Sequence, residues 1–396
     1  MRFSAKILLF LSVFFIYFNI SNASLSISPL KHEFTINAGN SKTATVKITN
    51  NSTDSMTLYS SKEDFVAGDD TGTPKFVKEE DQKNPELSLT NWLKIENENI
   101  TLAPGETREV KFSINVPVGA EPGGHYGAVF FSPGTPSGAQ VAVVQRLGVL
   151  VLINVPGDVK IDGNLEQFSL QKKSGTGYID MTNFDDFPIS FKVLFKNNGN
   201  IHLKPKGKIE IIDENGETLK NIGKESITST AGAYIGEKMV DYIPVNDVLG
   251  NVLPKSERRF ENDWEGFGYS VLNEDGTKSV KFKNLTDYYA SKAAENQAYL
   301  QFWQSVHERK VTKTFTAKLS LDYEGKDKAK KEFSQENKFK VTFQEKYIGI
   351  NYYILTFIII LLGGSLYYFF ILGPQRRLVR EEELKKKIME EMKNNK

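Results

Sequence analysis

His32, His125, His202 and His307 are the only imidazoles in this 396-residue sequence, and there is no cysteine. Without thiols there is no disulfide scaffold, thiol nucleophile, iron–sulfur cluster or Cys-based zinc site. The four histidines are far apart along the chain, and isolated strand histidines are more often core or surface residues than ligands. No G-x-G-x-x-G, Walker A, H-E-x-x-H or G-x-S-x-G pattern occurs. Asp64-Phe65-Val66-Ala67-Gly68-Asp69-Asp70 offers carboxylates to a calcium ion, which takes six to eight oxygens, but lacks the spacing of a calcium loop and reads better as a solvated turn. Asp213–Glu217 reads as a hairpin turn. Paired carboxylates for glycoside cleavage have no sequence spacing, because their separation is three-dimensional. The expectation is a non-enzyme without cofactor or metal.

Two stretches remain as candidates for binding. Gly123-Gly124-His125-Tyr126-Gly127-Ala128-Val129-Phe130-Phe131 places glycines inside a strand, which marks a bulge or a close approach by another backbone or a ligand. It reads either as a bend in an edge strand or as a ligand-facing strand with Gly124, His125 and Tyr126 at the contact. Asn284–Lys310 carries Leu285, Tyr289, Ala293, Leu300, Trp303 and Val306 near helical spacing, which predicts a helical insertion near 284–310. Its role is either to cap a sandwich or to present Tyr299, Phe302 and Trp303 to a partner, since aromatic residues are enriched at interface hot spots.

The elements that must hold these residues are strands. Ala44, Val46 and Ile48 alternate with Thr45, Lys47 and Thr49. Val110, Phe112, Ile114 and Val116 alternate with Glu109, Lys111, Ser113 and Asn115. A period of two is what a strand with one buried face requires. Ala103-Pro104-Gly105-Glu106 supplies a turn, and Val141–Ile153 reads as interior strand. Phe187, Ile189, Phe191, Val193 and Phe195 form a further apolar row, as do Phe315, Ala317, Leu319, Leu321 and Tyr323, and Phe339, Val341 and Phe343. The predicted fold class is mainly β, with two immunoglobulin-like antiparallel β-sandwich domains at 24–155 and 156–346, divided at Pro156-Gly157-Asp158.

The ends predict the location. Met1–Ala23 has Arg2 and Lys6, the apolar run Ile7–Phe18 and the small-x-small site Ser21-Asn22-Ala23, the pattern of a secretory signal peptide. Ile350–Leu372 carries no charge and spans roughly 34 Å as a helix at ~1.5 Å per residue, enough to cross a bilayer. Tyr347, Tyr352, Tyr353, Tyr367 and Tyr368 flank it as interfacial belts do, and Gly373-Pro374 is expected to end it. The tail at 373–396 has eight basic residues against five glutamates, so it is expected to stay cytoplasmic in a type I topology. Its Glu381–Glu383 then Lys385–Lys387 run reads as a self-paired helix that also suits anionic lipid. A net charge of +1 argues against a nucleic-acid partner. Export without cysteine fits a bacterial surface better than a eukaryotic ectodomain.

With these features on view, the first half resembles the peptidoglycan-binding domain of WxL-interacting proteins. The resemblance lies in Ile27-Ser28-Pro29, Gly39 with the Thr43–Asn50 strand, Tyr59…Asp64-Phe65 and Ser88-Leu89-Thr90-Asn91-Trp92-Leu93. It continues through Leu102-Ala103-Pro104-Gly105-Glu106, Val116-Pro117, Pro122-Gly123-Gly124-His125-Tyr126-Gly127 and Arg146–Val155. The signal, the paired β-units, the single span and the basic tail match that family's layout. The second half departs from it at Gly250–Lys310, and the chain contains no Trp-x-Leu of its own. The resemblance implies a membrane-anchored surface protein that holds cell-wall glycan or another surface protein without a covalent step. The rival readings are an accessory subunit of a secretion or surface-appendage complex, in which strand edges pair with a partner strand, and a wall-active hydrolase. The sequence leaves oligomeric state open.

Overall fold

The computed structural model describes residues 25–394 except 79–80, 83–84, 134–145, 186, 229–233, 298–303 and 326–328. The leader-like Met1–Ala23 and the aromatic residues Tyr299, Phe302 and Trp303 lie outside the described residues.

Ten strands fill residues 25–155: β1 (Leu25–Ser28), β2 (Lys31–Thr35), β3 (Ser41–Asn50), β4 (Met56–Ala67), β5 (Pro74–Val77), β6 (Leu93–Ile95), β7 (Asn99–Leu102), β8 (Thr107–Asn115), β9 (Gly123–Pro133) and β10 (Leu147–Val155). They form two sheets, one in the order β1-β3-β8-β6 and one in the order β2-β10-β9-β4-β5, with β7 also paired to β4. Strand β2 runs parallel to β10, and the remaining pairs are antiparallel. The alternation read from sequence sets the facing: Ala44, Val46 and Ile48 from β3 and Val110, Phe112 and Ile114 from β8 meet Val129, Phe131, Val149, Val151 and Ile153 from the second sheet. One core therefore lies between the two sheets. Strand β9 is unlike the others, because Gly123 through Ser132 are all buried, so both of its faces are covered.

Residues 163–350 build a separate core. The strands are β11 (Gly163–Ser174), β12 (Gly177–Asp180), β13 (Asn183–Phe184), β14 (Ile189–Asn197), β15 (Lys206–Ile212), β16 (Gly223–Thr228), β17 (Tyr234–Val240), β18 (Ile243–Val245), β19 (Glu257–Trp264), β20 (Phe267–Leu272), β21 (Lys278–Lys283), β22 (Gln304–Glu324) and β23 (Lys330–Ile350). Two sheets, β12-β11-β14-β19 and β13-β23-β22-β15-β18, enclose Phe191, Val193, Phe195, Ile209, Phe315, Leu319, Phe339 and Trp264. A third, smaller sheet, β16-β17-β21-β20, was not legible in sequence. Its strands read Lys-Glu-Ser-Ile-Thr or Gly-Tyr-Ser-Val-Leu, with no sustained apolar alternation.

Helix α1 covers Leu285–Gln297 and buries Leu285, while Tyr288 stacks on Phe267 with ring centroids 3.8 Å apart. The helix expected to reach residue 310 stops well short, because Gln304 already pairs with Ile350 in the β22–β23 ribbon. Val306, Val311, Thr312 and Thr314 explain that choice, since β-branched side chains suit a pleated strand. Each strand of the ribbon runs 21 residues, about 70 Å at ~3.3 Å per residue.

One residue past the last rung, Asn351 caps helix α2 (Tyr352–Tyr367), its side chain accepting from the backbone N–H of Tyr353 and Ile354. A π-turn (Tyr368–Leu372) follows and leads into α3 (Gly373–Asn394). The helix was expected to stop at Gly373-Pro374 and instead runs through. A proline within a helix removes one hydrogen bond and clashes with the carbonyl four residues back. The wider π-turn just before Pro374 re-pairs the ladder, with the Gly373 N–H reaching the Tyr368 carbonyl. Tyr352–Met392 holds the only helix among the described residues long and apolar enough to cross a membrane.

Candidate functional site

The motif residues of the first unit converge on one loop. Two short 3-10 turns, Pro85–Leu87 and Thr90–Trp92, leave backbone N–H groups without helical partners. Asp64, buried inside β4, supplies the acceptors: its Oδ1 takes the N–H of Leu89 and of Thr90, each at 2.9 Å. Its Oδ2 accepts from the Gln82 side chain at 2.8 Å. From the same strand, Lys62 Nζ donates to the carbonyls of Thr90 (2.6 Å) and Leu93 (2.9 Å). Asp64 thus staples a loop and does not begin a calcium site. Among the described residues, no group of three or more His, Asp or Glu is placed to hold a metal. The signal for this role was an acidic residue in the middle of an otherwise strand-like run.

His125 closes the loop from the other side. Its ring is fully buried, 4.2 Å from the Trp92 indole, with Nδ1 3.2 Å from the Leu87 carbonyl and Nε2 3.0 Å from the Glu121 carbonyl. Leu89 packs on Gly127, where a Cβ would sit 3.3 Å from the Leu89 Cβ. Leu87 and Asn91 remain on the solvent side.

Tyr126 points to the opposite face of β9 and meets the second unit. Its hydroxyl lies 3.2 Å from His202 Nδ1, and His202 Nε2 lies 2.8 Å from Glu33 Oε1. With Nε2–H donating to the carboxylate, Nδ1 is the acceptor for the Tyr126 hydroxyl. Lys204 Nζ adds a contact to Glu33 Oε1 at 2.6 Å. Burial pushes the Tyr126 phenol above its ordinary pKa. Around this chain of contacts, Leu253 packs on the cluster of Phe65, Tyr126 and Leu152. Asp70 and Arg259 pair at 3.5 Å.

The glycines of the Gly123–Gly127 run now have a cause. The Gly124 N–H donates to the Asn200 carbonyl at 2.8 Å, and a Cβ at position 123 would stand 2.9 Å from that same oxygen. A Cβ at 124 would overlap the Tyr126 hydroxyl. The close approach is by the second unit's backbone. Gly124, His125 and Tyr126, read from sequence as a ligand-facing strand or an edge bend, sit instead on a central strand, with the His125 and Tyr126 side chains turned to protein. The partners Asn200 and His202 were out of reach of sequence reasoning because they lie about 76 residues away. Further along β9, Arg146 lies 4.0 Å over the Phe130 ring and pairs with Glu63 at 2.5 Å, so that stretch too is covered.

Glu33 makes the junction acid-sensitive. The hydrogen bond from His202, helped by Lys204, holds its carboxyl at about 2, against an ordinary 4.5. A depressed folded-state pKa contributes stability that is complete above pH ~4.5 and disappears as pH falls toward 2. The expected result is that the thermal midpoint of Glu33→Gln lies below that of the parent at pH 6, and that the gap narrows between pH 4.5 and 2. A gap that stays constant across that window would remove Glu33 from the junction's energetics.

Residues 31–133 match the family model described as WxL Interacting Protein, peptidoglycan binding domain. That span contains Asp64, the Ser88–Leu93 loop and the Gly123–Phe131 strand. No curated protein matches the chain. Similar solved structures include the class 5 fimbriae chaperone CfaA, at 13% identity over 65% of this chain and 98% of that one, with a TM-score of 0.29. The Pseudomonas aeruginosa CupB2 chaperone aligns at 12% identity over 65% and 98%, with a TM-score of 0.28. The YadV chaperone aligns at 8% identity over 80% and 100%, with a TM-score of 0.29.

Proposed function

We propose that this chain is a single-span bacterial surface protein whose first β-unit holds cell-wall glycan non-covalently. The observation that carries the reading is the match of residues 31–133 to a peptidoglycan-binding domain. The stapled loop supports it. A glycan offers hydroxyls and acetamides but little charge, so a binder needs fixed polar and apolar groups on a surface that does not have to be ordered on contact. The anchors Asp64, Lys62 and His125 hold Leu87 and Asn91 in that pre-set state. In this reading Gly124, His125 and Tyr126 are positioning residues behind the contact surface.

The rest of the layout follows the same proposal. Residues 24–155 and 156–346 are two immunoglobulin-like sandwich domains, and Met1–Ala23 is a cleaved leader. Tyr352–Leu372 crosses the membrane, since none of its residues is buried and most of its isoleucines and leucines are exposed, which would be unfavourable in water. The basic end at 373–396 lies in the cytoplasm.

The test is co-sedimentation of the full chain, in mild detergent, with purified wall sacculi. Retention without release of soluble glycan is expected. Asn91→Ala should weaken retention by roughly fivefold, the equivalent of one hydrogen bond of about 1 kcal/mol, without lowering the thermal midpoint. A chain that stays in the supernatant, or that releases glycan, would reject the proposal.

A further inference from the structure

The π-turn at Tyr368–Leu372 and the first turns of α3 place an aromatic face directly above a cationic one. Spacings of four, three and four residues put Phe369, Gly373, Arg376 and Arg380 on one side of the helix, with Arg377 beside them. Gly373 leaves a notch between the ring and the guanidinium groups, and a shallow groove lined by Phe369, Leu372, Gly373, Arg376, Arg377 and Arg380 results. Glu383 closes the far end of that groove. Arg376 lies 5.9 Å from the Tyr368 ring centroid, and none of the three arginines forms an ion pair among the described residues. Lysine and glutamate farther along the tail, by contrast, alternate in blocks that offset one another.

We propose that this groove binds the phosphate headgroup of an anionic phospholipid, with an acyl chain lying along Phe369 and Leu372. Guanidinium groups present paired N–H donors that match phosphate oxygens, which ammonium groups do not. The long arginine stems keep their methylene groups against the apolar zone while the heads reach the phosphate layer. Each basic residue near an anionic membrane surface contributes about 1 kcal/mol, roughly a fivefold preference. The proposal rests on the reading of Tyr352–Leu372 as a membrane span and adds a lipid class to it.

The experiment uses the full chain in mild detergent, offered phosphatidylglycerol and phosphatidylcholine in equal amounts, with bound lipid counted by native mass spectrometry. Phosphatidylglycerol should be retained about tenfold or more over phosphatidylcholine. Arg376→Gln/Arg377→Gln/Arg380→Gln should abolish the preference, because glutamine keeps the helix but not the charge. Lys385→Gln/Lys386→Gln/Lys387→Gln should keep it. An arginine variant that keeps the parent's preference for phosphatidylglycerol, or a lysine variant that loses it, would overturn the site in favour of diffuse charge. Displacement by glycerol phosphate at matched concentration would overturn the assignment to a lipid. Alkaline extraction of the chain from native membranes tests the span separately: release into the supernatant would reject the span itself.

Discussion

Asp64→Ala is expected to lower the stability of the first β-unit by about 3 kcal/mol and to abolish retention on sacculi. Alanine removes both carboxylate oxygens and leaves the buried N–H groups of Leu89 and Thr90 without an acceptor. Each unsatisfied buried donor costs about 1–3 kcal/mol. The loop between Pro85 and Leu93 then loses its fixed geometry, so Leu87 and Asn91 are no longer pre-set. Asp64→Asn keeps one acceptor oxygen at nearly the same volume and should lose less than half as much. Thermal unfolding with sacculus co-sedimentation reads both quantities. An Asp64→Ala protein that melts like the parent and still sediments with sacculi would end the stapled-loop account.

Trp264→Ala should be the most destabilising change in the second unit, at about 3–5 kcal/mol. The indole is fully buried, ringed by Phe187 at 5.0 Å, Phe315 at 5.6 Å and Phe339 at 6.2 Å, and its N–H donates to the Gly266 carbonyl at 3.0 Å. Removing it opens a cavity too large to collapse and strands a carbonyl. The two cores share no residue. The expected calorimetric trace therefore has an early transition from the second unit and a later one near the parent's position. Sacculus retention should persist between them. A single early transition carrying all the heat would mean that the junction of Tyr126, His202 and Glu33 makes the two cores one cooperative body.

Where a residue's environment follows from its near neighbours, the sequence was readable. Strand β3 begins within two residues of its predicted start because Ala44, Val46 and Ile48 alternate with polar residues. The Asp213–Glu217 turn forms as expected, with Gly216 at φ +84°. Pro374 misled for a physical reason: a preceding π-turn cancels the penalty that makes proline a helix stop. The candidate binding strand misled for another. Glycines announce a close approach but not who approaches, and here it is Asn200. Asp64 reads as the start of a solvated Asp64–Asp70 turn because hydrogen bonds to loop N–H groups some 25 residues away leave no local pattern.

The ribbon of β22 and β23 ends on the Gln304–Ile350 rung, and Asn351 caps the apolar helix at once. There is no slack tether at that joint. A tug on the β-units along the ribbon axis loads its rungs in shear, side by side, and does not peel them one at a time. The joint is thus stiff: tension applied to the ribbon arrives at the helix as displacement or torque.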